Sequence, residues 1–160
     1  MSTDTKSITK QLTDLITKGN AHVTFEQAVE NISFKNIGVK PNNLPYSIWM
    51  LAEHIRIAQA DILDFSINSD YKELKWPEEY WPTDEMPKDE IEWQKCLDQI
   101  LLGRNQFIDL LSQPGVDLFK PFPHGNGQNL LREALLIADH NSYHTGEIVL
   151  IRRLLNDWNS

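Results

Sequence analysis

Asp139-His140-Asn141-Ser142-Tyr143-His144 lies in the middle of a run, Gln128 to Asp157, in which Leu131, Leu135, Ala138, Ile148, Ile151 and Leu155 recur at helical spacing. Read as one helix, the run is about 45 Å long at 1.5 Å per residue. His140 and His144 then stand four residues apart on one face, with Cβ atoms roughly 5–6 Å apart. Two imidazoles at that spacing reach one metal ion at about 2.0–2.1 Å. Two ligands alone hold a metal weakly. The best third is His54, in the other long apolar-periodic segment, Trp49-Met50-Leu51-Ala52-Glu53-His54-Ile55. Three histidines converging from two helices would leave coordination positions open, which is what separates a catalytic from a structural metal site. The plain alternative makes all three hydrogen-bonded core or surface residues.

Apolar spacing near 3.6 residues recurs elsewhere, and strand-like alternation is nearly absent. A first segment runs from Thr3 to Lys18, with Ile8, Leu12, Leu15 and Ile16 on one face and Gly19-Asn20 as its stop. A shorter one, Thr24 to Ile32, opens on Thr24 as a cap and turns Phe25, Ala28, Val29 and Ile32 inward. The segment that carries His54 begins at Pro45, read as a first-turn proline, and continues to Ile67. Its predicted core positions are Ile48, Leu51, Ala52, Ile55, Ile62 and Leu63. Asn68 to Pro87 contains Trp76-Pro77 and Trp81-Pro82 and cannot be a regular helix. Lys88 to Gln113 is helical again, with Ile91, Leu97, Leu101 and Ile108 predicted inside. A Pro- and Gly-rich loop, Pro114 to Gly127, precedes the histidine run. Four long helices and two sizeable loops point to an all-α chain, a four-helix bundle in a single domain over residues 1–160.

Bulk properties narrow the function classes. The net charge is −8, and Arg152-Arg153 is the only adjacent basic pair, which argues against nucleic acid as a partner. No window approaches 18 consecutive apolar residues, so no membrane span is expected. The first fifteen residues carry no signal-peptide pattern. The single cysteine, Cys96, rules out an internal disulfide and a CxxC motif. These points favour the cytoplasm.

Three pieces in order carry a family resemblance: Pro45-Tyr46-Ser47-Ile48-Trp49 leading into Glu53-His54, the loop from Trp76-Pro77 to Trp81-Pro82, and His140-Asn141-Ser142-Tyr143-His144-Thr145-Gly146-Glu147-Ile148. Together they resemble the DinB-like, or YfiT-like, metal-dependent hydrolase superfamily, over about Phe25 to Trp158. The resemblance implies an up-down-down-up four-helix bundle, commonly a homodimer. It implies nickel or zinc on one histidine of the second helix and two of the fourth, here His54, His140 and His144. Some members look like transferases that use low-molecular-weight thiols, and many have no assigned activity. The expected function is therefore that of a metal-dependent hydrolase or thiol S-transferase acting on a small molecule. The competing class is a non-catalytic metal-binding dimer with a stress-response or ligand-binding role.

A trio of neutral imidazoles leaves the site's charge at that of the ion, which draws the pKa of a bound water toward 7. The same open position suits a thiolate, and water attack and thiol activation both remain open. Glu147 stands three residues from His144, where it would orient a ligand ring or act as a base; a solvated glutamate is the equal alternative. Glu53 and Asp139 each precede a histidine by one residue, about 100° away, so neither is expected as a ligand. Trp76, Tyr80 and Trp81 read first as residues that pin the loop and second as a lid over the site. His22 and His124 read as ordinary surface residues, Cys96 as an unreactive filler, and Gly146 as a point of close helix packing.

Overall fold

The computed structural model describes residues 3–158. Among these the chain is all-α. In chain order the helices are α1 (Thr3–Lys18), α2 (Phe25–Val29), α3 (Phe34–Ile37), α4 (Ile48–Ile67), α5 (Glu90–Leu111) and α6 (Leu130–Leu154), with a 3-10 turn at Pro41–Asn43.

Side-chain caps set where the helices start. Thr24 accepts from the Gln27 amide, and the Gln27 side chain accepts from the Thr24 amide, a reciprocal box that satisfies two otherwise orphan donors. Ser47, Asp89 and Asn129 each accept from the amide three residues on, Met50, Glu92 and Arg132 respectively. These caps correct the expected boundaries. Pro45 is not in the first turn of α4, because the Ser47 hydroxyl holds the helix start at Ile48. The short α3 and the turn after it were not foreseen. Gly19 ends α1 at φ 63°, where a Cβ would stand 2.5 Å from the His22 carbonyl oxygen.

α4 packs against α5 and α6, and α1 against α5 and α6, with α2 lying on α6. The apolar interior falls into two clusters. One gathers Ile48, Leu51, Ile55, Trp93, Ile100, Ile148 and Ile151 with α2 and α3. The other gathers Leu12, Ile62, Phe107, Leu111, Leu118, Leu130 and Ile137. On α6 the interval between them holds His140, Asn141, His144 and Thr145; on α4 it holds Gln59, with His54 just before it, between Ala52 and Ile55 of the first cluster. A polar layer therefore interrupts the core where α4 and α6 face each other.

Ile91, an expected core position, points outward at 78% exposure, and Leu15 and Leu135, on the apolar spacing of α1 and α6, are exposed as well. The buried stripe of α5 is Trp93, Cys96, Ile100, Phe107 and Leu111, a different face from the one Ile91 begins. Gly146 is another correction. It is exposed, and a Cβ there would meet nothing within 4 Å, so close packing does not explain it. Arg152 is 5% exposed and donates to the Ala28, Glu30 and Asp157 carbonyls, which removes half of the one basic pair from any phosphate-binding surface.

The two long loops are tied to α4. The hydroxyls of Tyr71 and Tyr80 both donate to Asp61, at 2.9 and 2.7 Å. Ser47 donates to the Glu85 carbonyl at 2.6 Å. His124 Nε2 donates to the Phe65 carbonyl at 2.8 Å and the ring packs on Phe122, so this histidine is half-buried and not the surface residue expected. The Trp76-Pro77 bond is cis. Among the described residues no helix is long and apolar enough to cross a membrane.

Candidate metal centre

His54, four residues before Ala58 on the buried face of α4, meets His140 and His144 of α6 in the polar layer. Each offers one ring nitrogen, and these three atoms lie within 4.8 Å of one another. Ring centroids are 4.8 Å apart for His54 and His140, 4.7 Å for His54 and His144, and 4.5 Å for His140 and His144. Among the described residues this is the one cluster of three or more histidine, cysteine or acidic side chains that brings its ligand atoms so close. The helical i, i+4 pair and the third histidine picked from sequence are the residues brought together.

Hydrogen bonds fix which nitrogen of two rings faces the centre. His54 Nδ1 lies 2.7 Å from the Tyr80 carbonyl oxygen, which can only accept, so Nδ1 carries the proton and Nε2 the lone pair. His144 Nδ1 lies 2.7 Å from Glu147 Oε2, which likewise makes Nδ1–H the donor and frees Nε2. The other oxygen of Glu147 accepts from the Tyr46 hydroxyl. Sharing its proton with the carboxylate pushes the Tyr46 phenol up to about 12, with burial adding to the effect. Both oxygens of Glu147 are thus engaged.

His54 Nε2 and His140 Nε2 are 3.0 Å apart. Two nitrogens that each bind one ion at about 2.05 Å subtend an angle of about 95° there when 3.0 Å apart, and a tetrahedral angle needs about 3.4 Å. The His54–His140 pair needs to open by a few tenths of an ångström, and the three ligand atoms, within 4.8 Å of one another, must draw to about that separation to hold one small divalent ion. Burial pushes the pKa of His140 down to about 4, helped by the positive charge His144 and His54 would carry, and burial lowers His54 as well. Neutral imidazoles are the form that ligates.

Aromatic side chains close the site. Trp81 stacks flat on His54, with centroids 4.0 Å apart and planes 3° apart, and Tyr46 stacks on Trp81 at 5.9 Å. Tyr143 meets His144 edge-on. His54 and His144 are accordingly 3% and 7% exposed. Tyr80 anchors the loop through Asp61, and Trp81 covers a candidate ligand, so each of the two sequence readings of this loop holds for a different residue. Trp76 is 68% exposed and touches His54 only by its edge.

The remaining titratable groups stand apart from the cluster. Glu53 is held by a two-pronged bond to Arg56 at 2.9 and 2.8 Å, and Asp139 is exposed. Cys96 is buried, and burial beside Glu53 pushes its thiol well up, away from reactivity. His22 is exposed and accepts from the Ser142 hydroxyl at 2.9 Å, at the edge of a 420 Å³ cavity that none of the three histidines lines.

Sequence reasoning missed the Tyr80 carbonyl, Tyr46, Gln59 and Asn141. A main-chain acceptor in a loop leaves no side-chain signal, and Tyr46 is 101 residues from Glu147. Gln59 did leave one: an amide three residues before Ile62 and four after Ile55 breaks the apolar stripe of α4. No protein-family model, curated protein or solved structure matches this chain.

Proposed function

We propose that this protein is a metal-dependent enzyme acting on a small molecule, a hydrolase or a thiol S-transferase, with His54, His140 and His144 as ligands to one zinc or nickel ion. The observation that carries the reading is the pair of Nδ1–H bonds to Tyr80 and Glu147, which turn the lone pairs of His54 and His144 toward a common point. A bound ion would supply Lewis acidity that draws a coordinated water or thiol toward its anion near neutral pH. Three protein ligands leave room for that group. Glu147 acts as a positioning residue, since both of its oxygens are occupied, and Tyr46 holds Glu147 in turn. Trp81, stacked flat on His54, is the apolar wall that shields the site from bulk water.

The resemblance to the DinB-like superfamily supports the same reading and adds the rest of the architecture. The cluster residues suggest an up-down-down-up bundle: α4 and α5 both pass from the Ile48–Trp93 cluster toward the Phe107–Leu111 cluster, and α6 returns. A cytoplasmic homodimer that uses a low-molecular-weight thiol belongs to this proposal too.

A second reading has an observation of its own. The tight burial of His54 and His144 beneath Trp81 favours a metal-binding protein without turnover, in a stress-response or ligand-binding role. Turnover decides between the two. Zinc- and nickel-loaded protein is assayed on small esters and amides, and on a low-molecular-weight thiol paired with an electrophile, beside His140→Ala. Metal-dependent turnover that the variant loses supports the enzyme; tight metal binding without turnover supports the second reading.

A further inference from the structure

Two of the three histidines have an outer partner that fixes their protonated nitrogen, and the third has none: His140 Nδ1 is buried and unpartnered. On the next residue, Asn141 Oδ1 is also buried and unpartnered. Two adjacent orphans in one polar layer are unusual, because buried polar groups are nearly always paired.

The direction of the neighbouring hydrogen bonds explains the pair. The Ile100 carbonyl oxygen of α5 can only accept, so Gln59 must present Nε2 to it, at 2.7 Å. Gln59 Oε1 therefore faces Asn141, which must present Nδ2, at 2.9 Å. That leaves Asn141 Oδ1 as an acceptor with no donor. One main-chain carbonyl thus sets the polarity of two amides in sequence. Gln59 is 1% exposed, and a Cβ on Gly103 would stand 2.9 Å from its Nε2, so the relay is held closely.

His140 Nε2 lies 3.0 Å from His54 Nε2, and with the His54 proton on Nδ1 the bond between them is a donation from His140 Nε2–H, which leaves His140 Nδ1 without a proton. An ion between the two rings needs both Nε2 lone pairs. The His140 proton then has to move to Nδ1, where it becomes a buried donor in need of an acceptor.

We infer that Asn141, held by Gln59 and the Ile100 carbonyl, is the positioning residue for the third ligand, accepting from His140 Nδ1–H when the site is loaded. This rests on the metal reading of the site. It completes a pattern in which each imidazole has its own acceptor: a main-chain carbonyl for His54, a carboxylate for His144, and a side-chain amide for His140. The two orphan atoms are one hydrogen bond that the ion brings about.

The test is a zinc competition titration of wild type, Asn141→Leu and Gln59→Met, with ring ¹⁵N spectra of the zinc-loaded wild type. Expected is a 10–100-fold weaker affinity in Asn141→Leu, a smaller loss in Gln59→Met, and His140 protonated on Nδ1 with that proton protected from exchange. Zinc-loaded wild type with the proton on His140 Nε2 overturns the inference. So does Asn141→Leu binding zinc within twofold of wild type while the metal-free melting temperatures agree. Should Asn141→Leu fail to fold, the wild-type spectrum and Gln59→Met still decide. Wild type that takes up no zinc sinks the metal reading and this inference together, whereas tight wild-type binding with an unaffected variant sinks the inference alone.

Discussion

The two apolar clusters and the polar layer between them are built from the same helices by opposite rules. In the cluster around Phe107, Leu111, Leu118 and Ala134, each of those four is fully buried and packs among apolar side chains. In the layer, His54, Gln59, His140, Asn141 and His144 occupy positions that the helical stripe assigns to apolar residues; His144 bonds to Glu147 on its own helix, and each of the others is tied by hydrogen bonds to another element or to a neighbour in the layer. The first region is there to hold the chain together, and the second breaks the local pattern and compensates with a network. Such violations concentrate at functional sites.

That contrast predicts which substitutions affect stability and which affect the site. Phe107→Ala, at 0% exposure, is expected to cost about 3–5 kcal/mol by the cavity it leaves, read as a lower urea midpoint, with metal affinity per folded molecule unchanged. Glu147→Gln should do the reverse. It keeps the shape but loses the charged acceptor on His144 Nδ1, so zinc affinity should fall 10–100-fold with the metal-free melt within a few degrees of wild type. If Glu147→Gln unfolds the chain as Phe107→Ala does, the division of labour between the regions is wrong. Tyr46→Phe removes the partner of Glu147 and should weaken zinc binding in the same direction by less than Glu147→Gln does. Asn129→Ala, at the start of α6, should cost about 1 kcal/mol by loss of its cap and leave the site alone. Smallest of all is the expected response of Cys96. Buried at 2% exposure with its thiol pKa raised, it holds little thiolate at neutral pH and should react with a disulfide reagent only as the chain unfolds. Fast labelling of the native protein would show that the first cluster opens.

Legibility in the sequence divides along the same line. The extent of α1, the presence of α6, the stop at Gly19 and the cap at Thr24 follow from apolar period and end chemistry, and they were readable, though α6 is shorter at both ends than the apolar run. Boundaries failed where two signals competed, as at Pro45 and Ser47, since a proline marks a start only if no better cap follows. Ile91 failed because one turn of α5 lies outside the stripe that Trp93 to Leu111 sets. In the layer, the histidines were legible because i, i+4 spacing is local and His54 sits in the other long apolar-periodic segment. Glu147 was legible as a neighbour of His144, and its role needed the Tyr46 contact to separate orienting from base chemistry. The Tyr80 carbonyl and the polarity of the Gln59–Asn141 amides depend on how separate elements meet, which no spacing in the chain encodes.

The most direct test is elemental analysis of purified, tag-free protein beside His144→Ala, each measured again after incubation with Zn²⁺ and Ni²⁺ and desalting. The account predicts about one ion per wild-type chain and a large loss in the variant, because two of three ligands hold a metal weakly. A wild type that stays empty after both additions would contradict it, and the three histidines would then be a hydrogen-bonded layer in the core and nothing more.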